Sequence, residues 1–127
     1  ILGRWQELAA ECMAFLRRDV VLSLVTIPEA LALCQLDGVM DELRRSDLGI
    51  SRLIVNNVVG VTDSPFLAQK RQQQQAYLGQ LRERLGDLSI VEIPLFPQEI
   101  RGVERLQTVG RLLCPAGVDV EQHADPE

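Results

Sequence analysis

The sequence predicts an α/β fold: a parallel sheet of about three strands flanked by helices in a three-layer, doubly wound arrangement. Two observations lead to this fold class. Segments with helical periodicity alternate with short apolar runs along the 127 residues. Successive apolar runs are separated by a dozen residues or more, the length that a parallel crossover requires. Since only three strands are visible, at least one strand edge is expected to lack a partner.

The first helix and the first strand are predicted from their apolar patterns. Residues 4–17 carry apolar side chains three and four positions apart, which indicates a helix. Val20–Val25 is almost continuously apolar, which is typical of a strand covered on both faces. Thr26 and Glu29 then match a capping box with Pro28 between them, so we expect a second helix with Pro28 in its first turn.

The second strand and its flanking helices follow the same alternation. The second helix is expected to run to about Arg45, and Leu53–Val55 to begin a buried strand that ends near Asn56-Asn57. A long polar helix is predicted from Pro65 to Leu85. Its glutamine run, Gln72–Gln75, is interpreted as a solvated helix face.

The last part of the chain predicts one more strand and one more helix. Leu88–Ile93 reads as the third strand. The loop Pro94–Pro97 should be stiff, because each proline fixes φ and lacks an N–H donor. A helix over residues 98–113 completes a predicted domain of residues 1–114, and residues 115–127 form an acidic tail that we expect to be disordered.

Charge and composition argue against nucleic-acid binding and against a membrane-spanning segment. The tail contributes four acidic residues and no basic ones to the net charge of −5. The basic residues are scattered and aromatic residues make up only 4%, so nucleic-acid binding is not expected. No apolar stretch approaches the roughly 18 residues of a membrane span, and no signal peptide is visible. Since the first residue is Ile1, we expect the sequence to begin partway through a longer reading frame.

The cysteines indicate neither a metal site nor a disulfide framework. Cys12, Cys34 and Cys114 form no CxxC pair, and the only histidine, His123, lies in the acidic tail. Cys12 and Cys34 fall on apolar faces of predicted helices, where they are expected to be small buried hydrophobes. This cysteine usage fits a reducing cytoplasm.

Candidate binding residues follow the strands, because ligands of open parallel sheets lie beyond the carboxyl ends of the strands. Asn56 offers a donor and an acceptor, which suits the edge of a purine base. Pro94-Leu95-Phe96 offers an apolar wall for the flat face of the base. Three plainer roles stay open: a turn residue for Asn56, a rigid loop for the prolines, and a helix cap for Glu29. The sequence contains no G-x-x-x-x-G-K-[ST] loop, so this chain alone should not hydrolyse ATP.

Several motifs in order resemble the C-terminal part of the ArsA-type anion-transporting ATPase family, which includes the ATPases that target tail-anchored membrane proteins. The resemblance covers about Arg18 to Leu113. The motifs are Val25–Leu33, Leu53–Asn56, Gln74 with Tyr77-Leu78, Ile93–Leu95, and Glu99–Gly102 with Leu106.

The resemblance implies a P-loop NTPase fold with a deviant Walker A loop, located upstream of Ile1. It implies ATP or ADP with Mg²⁺ as cofactor, a homodimer, a cytoplasmic location and a membrane protein as partner or client. The implied adenine-binding residues are Asn56, Pro94, Leu95 and Phe96, and the other motif positions are Pro28, Glu29, Glu99 and Arg101. Glu99–Gly102 should open the last helix.

The resemblance carries over no catalytic residue and no metal ligand. Ser64 and Leu67 stand where the targeting ATPases often carry the cysteine pair of a zinc clamp. Of the acidic stretch that they use to meet membrane receptors, only Asp37 keeps a carboxylate. The alternative interpretation is a non-catalytic α/β interaction module that assembles through its exposed strand edge.

Overall fold

The structure is a computed structural model and describes residues 1–115. Helices and strands alternate over these residues in the predicted order. The elements are α1 (Leu2–Arg18), β1 (Leu22–Thr26), α2 (Ala30–Arg45), β2 (Ile50–Val58), α3 (Pro65–Arg84), β3 (Ser89–Pro94) and α4 (Val103–Leu113). The predicted acidic tail lies, beyond its first residue, outside the described part of the chain.

The three strands form one parallel sheet in the order β1-β2-β3, which confirms the predicted fold class. Leu53 of the central strand lies opposite Leu24 of β1 and Ile90 of β3. Each consecutive pair of strands is joined by one helix, as parallel pairing requires. No strand of the described residues pairs with the outer edge of β1 or of β3.

The core lies between the central strand and the two crossover helices. Leu53 and Val55, two residues apart in β2, are 0% exposed because they point to the same face of the sheet. α2 and α3 both contribute to that cluster, so they pack on this one face. The cluster consists of Leu33, Leu36, Met40, Leu53, Val55, Val58, Leu78 and Leu81.

The first strand is not covered on both faces, contrary to the sequence prediction. From Leu22 to Val25 its residues alternate between half-buried and exposed, and the Val25 side chain is 65% exposed. Leu24 packs against the core, whereas Ser23 and Val25 point to the other face. A continuous apolar run therefore does not mean that both faces are buried in this edge strand.

The first helix forms as predicted but has no buried residue. The prediction of buried cysteines is wrong, since Cys12 and Cys34 are both exposed. In α2 the buried positions are Leu33, Leu36 and Met40, and Cys34 lies about 100° around the helix from Leu33, away from the sheet.

The second helix begins at Ala30, and the predicted capping box is absent. Thr26 is the last residue of β1, and Glu29 is the N-cap residue but makes no side-chain capping bond. The Glu29 N–H donates to the Ile27 carbonyl at 2.9 Å, so a tight turn through Pro28 precedes the helix. Pro28 consequently lies before the first helical turn rather than within it.

The chain divides into two compact units, Ile1–Leu95 and a second unit that begins at Phe96. In the second unit α4 begins at Val103, five residues later than predicted. Gly102 is the N-cap residue with φ of 81°, a left-handed conformation that favours glycine and that a helix interior does not allow. Glu99 and Arg101 therefore precede the helix instead of opening it.

Candidate functional site

The predicted site residues of the first unit lie near the carboxyl ends of the strands. β2 is longer than predicted, so Asn56 lies within the strand and is half-buried, while Asn57 is exposed. Asn57 has a φ of 59°, which is uncommon for a residue other than glycine. The central strand thus bends directly after Asn56 and ends at Val58.

The loop after β3 is attached to the end of β2. The backbone N–H of Leu95 donates to the Val58 carbonyl at 2.8 Å, and Pro94 lies opposite Val58 in the strand register. These contacts bring Asn56, Pro94 and Leu95 to the same end of the sheet.

Asn56 lines a cavity of about 390 Å³ beside β1 and α2. Its amide can both donate and accept, and its neighbours are mainly aliphatic. No charged side chain lines this cavity, so it suits a flat polar base better than a phosphate group. The other lining residues are Leu24, Val25, Thr26, Ile27, Ala32, Gln35, Leu36 and Val39.

Phe96 lines a separate cavity of about 220 Å³ within the second unit, together with Pro97 and Ile100. The Arg105 guanidinium donates to the Glu99 carbonyl at 2.7 Å and to the side-chain oxygen of Gln98, which fixes the loop that precedes α4. Asn56 and Phe96, both predicted to bind adenine, thus line different cavities in different units.

Glu99 and Arg101, the other two motif positions of the second unit, form an ion pair. The Arg101 Nε and Glu99 Oε2 atoms are 2.7 Å apart, and both side chains are exposed. An ion pair between exposed groups contributes little stability.

Pro28 and Glu29 line a third cavity, of about 400 Å³, between the start of α2 and α3. Pro28 is buried, whereas the Glu29 carboxylate reaches across to α3 and accepts from Lys70 Nζ at 3.1 Å. Glu29 therefore links two helices where the sequence predicted a cap.

Sequence reasoning quoted Gln74 as a motif position but assigned it no role and interpreted its run as solvated. In the structure Gln74 is buried, although its neighbours in the glutamine run are exposed. Its Oε1 accepts from the Val59 N–H at 2.8 Å, and its Nε2 donates to the Asn57 carbonyl at 3.1 Å. Because Gln74 lies four positions before Leu78, on the buried stripe of α3, this spacing was the signal that could have identified it.

Residues 1–115 contain neither a cluster of metal ligands nor a membrane-spanning helix. No group of three or more His, Cys, Asp or Glu side chains is placed to hold a metal ion there. None of the helices described in that range has the length and apolar character needed to cross a membrane.

Comparison with known proteins gives one matching family profile and several similar proteins. Residues 13–115 match the family profile described as anion-transporting ATPase. The chain is 31% identical over 91 residues to ATPase get3 of Schizosaccharomyces pombe, covering 70% of the chain and 28% of that protein. It is 33% identical over 86 residues to ATPase GET3A of Arabidopsis thaliana (65% and 24%). It is 31% identical over 90 residues to an ATPase ASNA1 homolog of Dictyostelium discoideum (70% and 27%). The matched region thus spans about a quarter of the length of these relatives.

Proposed function

This chain belongs to the anion-transporting ATPase family, and on that premise we propose that it supplies the adenine-binding side of a cytoplasmic ATPase. In this proposal the chain is one region of a longer ATPase, here called the parent protein. Within it, the Asn56 amide binds the edge of adenine, and Pro94 and Leu95 wall the base.

The observation that carries this proposal is the position of Asn56. It is half-buried at the carboxyl end of the central strand, where open parallel sheets bind ligands, and it lines an uncharged cavity. The Leu95–Val58 hydrogen bond holds the start of the Pro94–Phe96 loop at the same end of the sheet. An amide beside aliphatic side chains is a suitable receptor for a purine base.

The phosphates and Mg²⁺ are assigned to the rest of the parent protein. The cavity that Asn56 lines has no charged side chain, and the sequence has no phosphate-binding loop of the G-x-x-x-x-G-K-[ST] type. We propose that ATP binding in the parent favours one arrangement of a homodimer and that hydrolysis reverses it, coupling ATP to the handling of a client such as a membrane protein.

The test is the base selectivity of the parent protein with Asn56→Ala. Loss of the amide should weaken ATP binding about tenfold, whereas binding of GTP should change little. Competition of ATP and of GTP against a fluorescent nucleotide measures both affinities. The matched control is Gln75→Ala, which removes an exposed side-chain amide from α3. Unchanged ATP binding in Asn56→Ala would show that the adenine role is wrong.

A second candidate function is supported by the sheet edges. β1 and β3 each pair only with β2 among the described residues, and both Val21 and Val25 are exposed. An unpaired, apolar edge strand is suited to pairing with another chain. In this alternative the chain is a non-catalytic interaction module. Light scattering that shows a stable monomer over a wide concentration range, with or without ATP, would exclude edge-driven self-assembly.

A further inference from the structure

The Gln74 side chain fixes the backbone directly beyond Asn56. It is 2% exposed and makes two hydrogen bonds through one amide group, one to Asn57 and one to Val59. These two residues flank Val58, whose carbonyl accepts from Leu95. One side chain of α3 therefore holds the backbone at two residues, Asn57 and Val59. Val58, to which the loop after β3 is attached, lies between them.

We propose that Gln74 is a positioning residue for adenine recognition: it sets the direction of the Asn56 amide and thereby the preference for adenine over guanine nucleotides. The inference rests on the proposed function, since it concerns the same site. Gln74 itself is not placed against the base, and its effect is transmitted through the Asn57–Val59 backbone.

The Gln74 bonds fall on a backbone that is bent at Asn57. Its φ of 59° lies in the left-handed region, which asparagine adopts more readily than most residues but less often than the common conformations of negative φ. The Asn57 carbonyl is held by the Gln74 Nε2 atom. If that bond is lost, Asn57 can relax to a commoner conformation, and Asn56, the preceding residue, changes its orientation with it.

Glutamine is the residue type that this arrangement requires. Its amide donates to a carbonyl and accepts from an N–H at the same time. A methionine or leucine supplies neither bond, and an ionised glutamate supplies only the acceptor. The position of Gln74 is also fixed by packing, because Leu78 and Leu81 on the same helix lie in the core.

The chain supplies a matched pair of variants for the test, Gln74→Glu and Gln75→Glu in the parent protein. Both make the same chemical change on the same helix, but Gln75 is exposed. At about pH 8 the carboxylate introduced by Gln74→Glu faces the Asn57 carbonyl without a donor. We expect it to reduce the ATP-over-GTP preference about tenfold, while Gln75→Glu keeps the wild-type value.

The pH dependence of that preference separates positioning from a general loss of stability. Burial raises the pKa of a carboxyl group, and once protonated the group can again donate and accept. The preference of Gln74→Glu should therefore recover as the pH falls from about 8 to about 6, while that of Gln75→Glu stays flat. The titratable side chains that line the adjacent cavity are Glu29, Lys70 and Tyr77, and both variants contain them.

The outcomes distinguish this inference from the function on which it rests. If the wild-type parent does not prefer ATP to GTP, the proposed function and the inference both fail. If Asn56→Ala abolishes the preference but Gln74→Glu matches Gln75→Glu at every pH, the function stands and the positioning role is overturned.

A measurement on the wild type covers the case in which Gln74→Glu does not fold. Hydrogen exchange of the Val59 amide, whose acceptor is Gln74, should slow about tenfold more with saturating ATP than with saturating GTP. Equal protection by the two nucleotides would overturn the proposal.

Discussion

Helices α1 and α3 differ in how much of each is buried, and the difference is the opposite of what their sequences suggest. α1 has a distinct apolar face that includes Trp5, Leu8 and Phe15, yet none of its residues is buried. α3 is mostly polar and carries four consecutive glutamines, yet it buries Gln74, Leu78 and Leu81.

The difference shows that burial depends on what lies opposite a helix. α3 faces the central strand, whose Leu53 and Val55 are fully buried, so a few well-placed side chains suffice to anchor it. The C-terminal end of α1 is attached by a polar contact, from the Arg17 guanidinium to the Ser46 carbonyl at 2.9 Å. An apolar stripe predicts a helix reliably, but it does not identify what covers the helix.

Leu78→Ala should have the largest effect on the stability of the 127-residue chain. Leu78 is 1% exposed within the core cluster, so truncation leaves a cavity and should cost about 3 kcal/mol of the free energy of unfolding. Urea denaturation measures this loss. The control is Leu8→Ala on the exposed face of α1, which should cost less than about 1 kcal/mol. Equal losses would contradict the difference between the two helices.

Gln74→Leu should have the next largest effect. The variant keeps an apolar side chain of similar size but leaves the Val59 N–H and the Asn57 carbonyl without their partner, at a cost of about 2 kcal/mol. The same denaturation experiment compares it with Gln75→Leu, an exposed position that should change stability by less than about 0.5 kcal/mol. If the two variants were equally stable, the hydrogen bonds of Gln74 would not stabilise the fold.

The ion pair between Glu29 and Lys70 should contribute less. Both side chains are between two fifths and one half exposed, so solvent screens their attraction, and the coupling energy should be about 0.5 kcal/mol. A double-mutant cycle with Glu29→Gln and Lys70→Met measures it. The coupling should decrease in 1 M salt. A coupling above about 2 kcal/mol would mean that the pair is more shielded from solvent than its exposure indicates.

The fold could be predicted from the sequence because periodicity and crossover length are local properties. Residues 53–55 identified the central strand, and the Ser64-Pro65 start of α3 was placed correctly. The beginning of α4 was misplaced because the left-handed conformation of Gly102 cannot be read from a glycine alone. The open face of β1 was missed because an apolar run does not show which of its faces is covered.

The candidate site could be predicted only in part. Asn56 was identified because it follows the apolar core of a strand, and that reasoning needs only the topology of parallel sheets. The role of Gln74 was missed because it depends on partners fifteen and seventeen residues away, Val59 and Asn57. Amino-acid composition does not reveal long-range hydrogen bonds of this kind. The one indication in the sequence is that Gln74 lies four positions before Leu78, and the surrounding run of glutamines makes this spacing hard to notice.

Trp5→Ala should have the smallest effect in the 127-residue chain. Trp5 is 67% exposed on α1, so its removal should change the free energy of unfolding by less than about 0.5 kcal/mol. Since it is the only tryptophan, its fluorescence provides a second readout, and acrylamide should quench it almost as freely as a solvated indole. A loss of about 3 kcal/mol, the cost of truncating a buried aromatic side chain, would instead show that the apolar face of α1 is covered in solution. α1 and α3 would then be anchored in the same way.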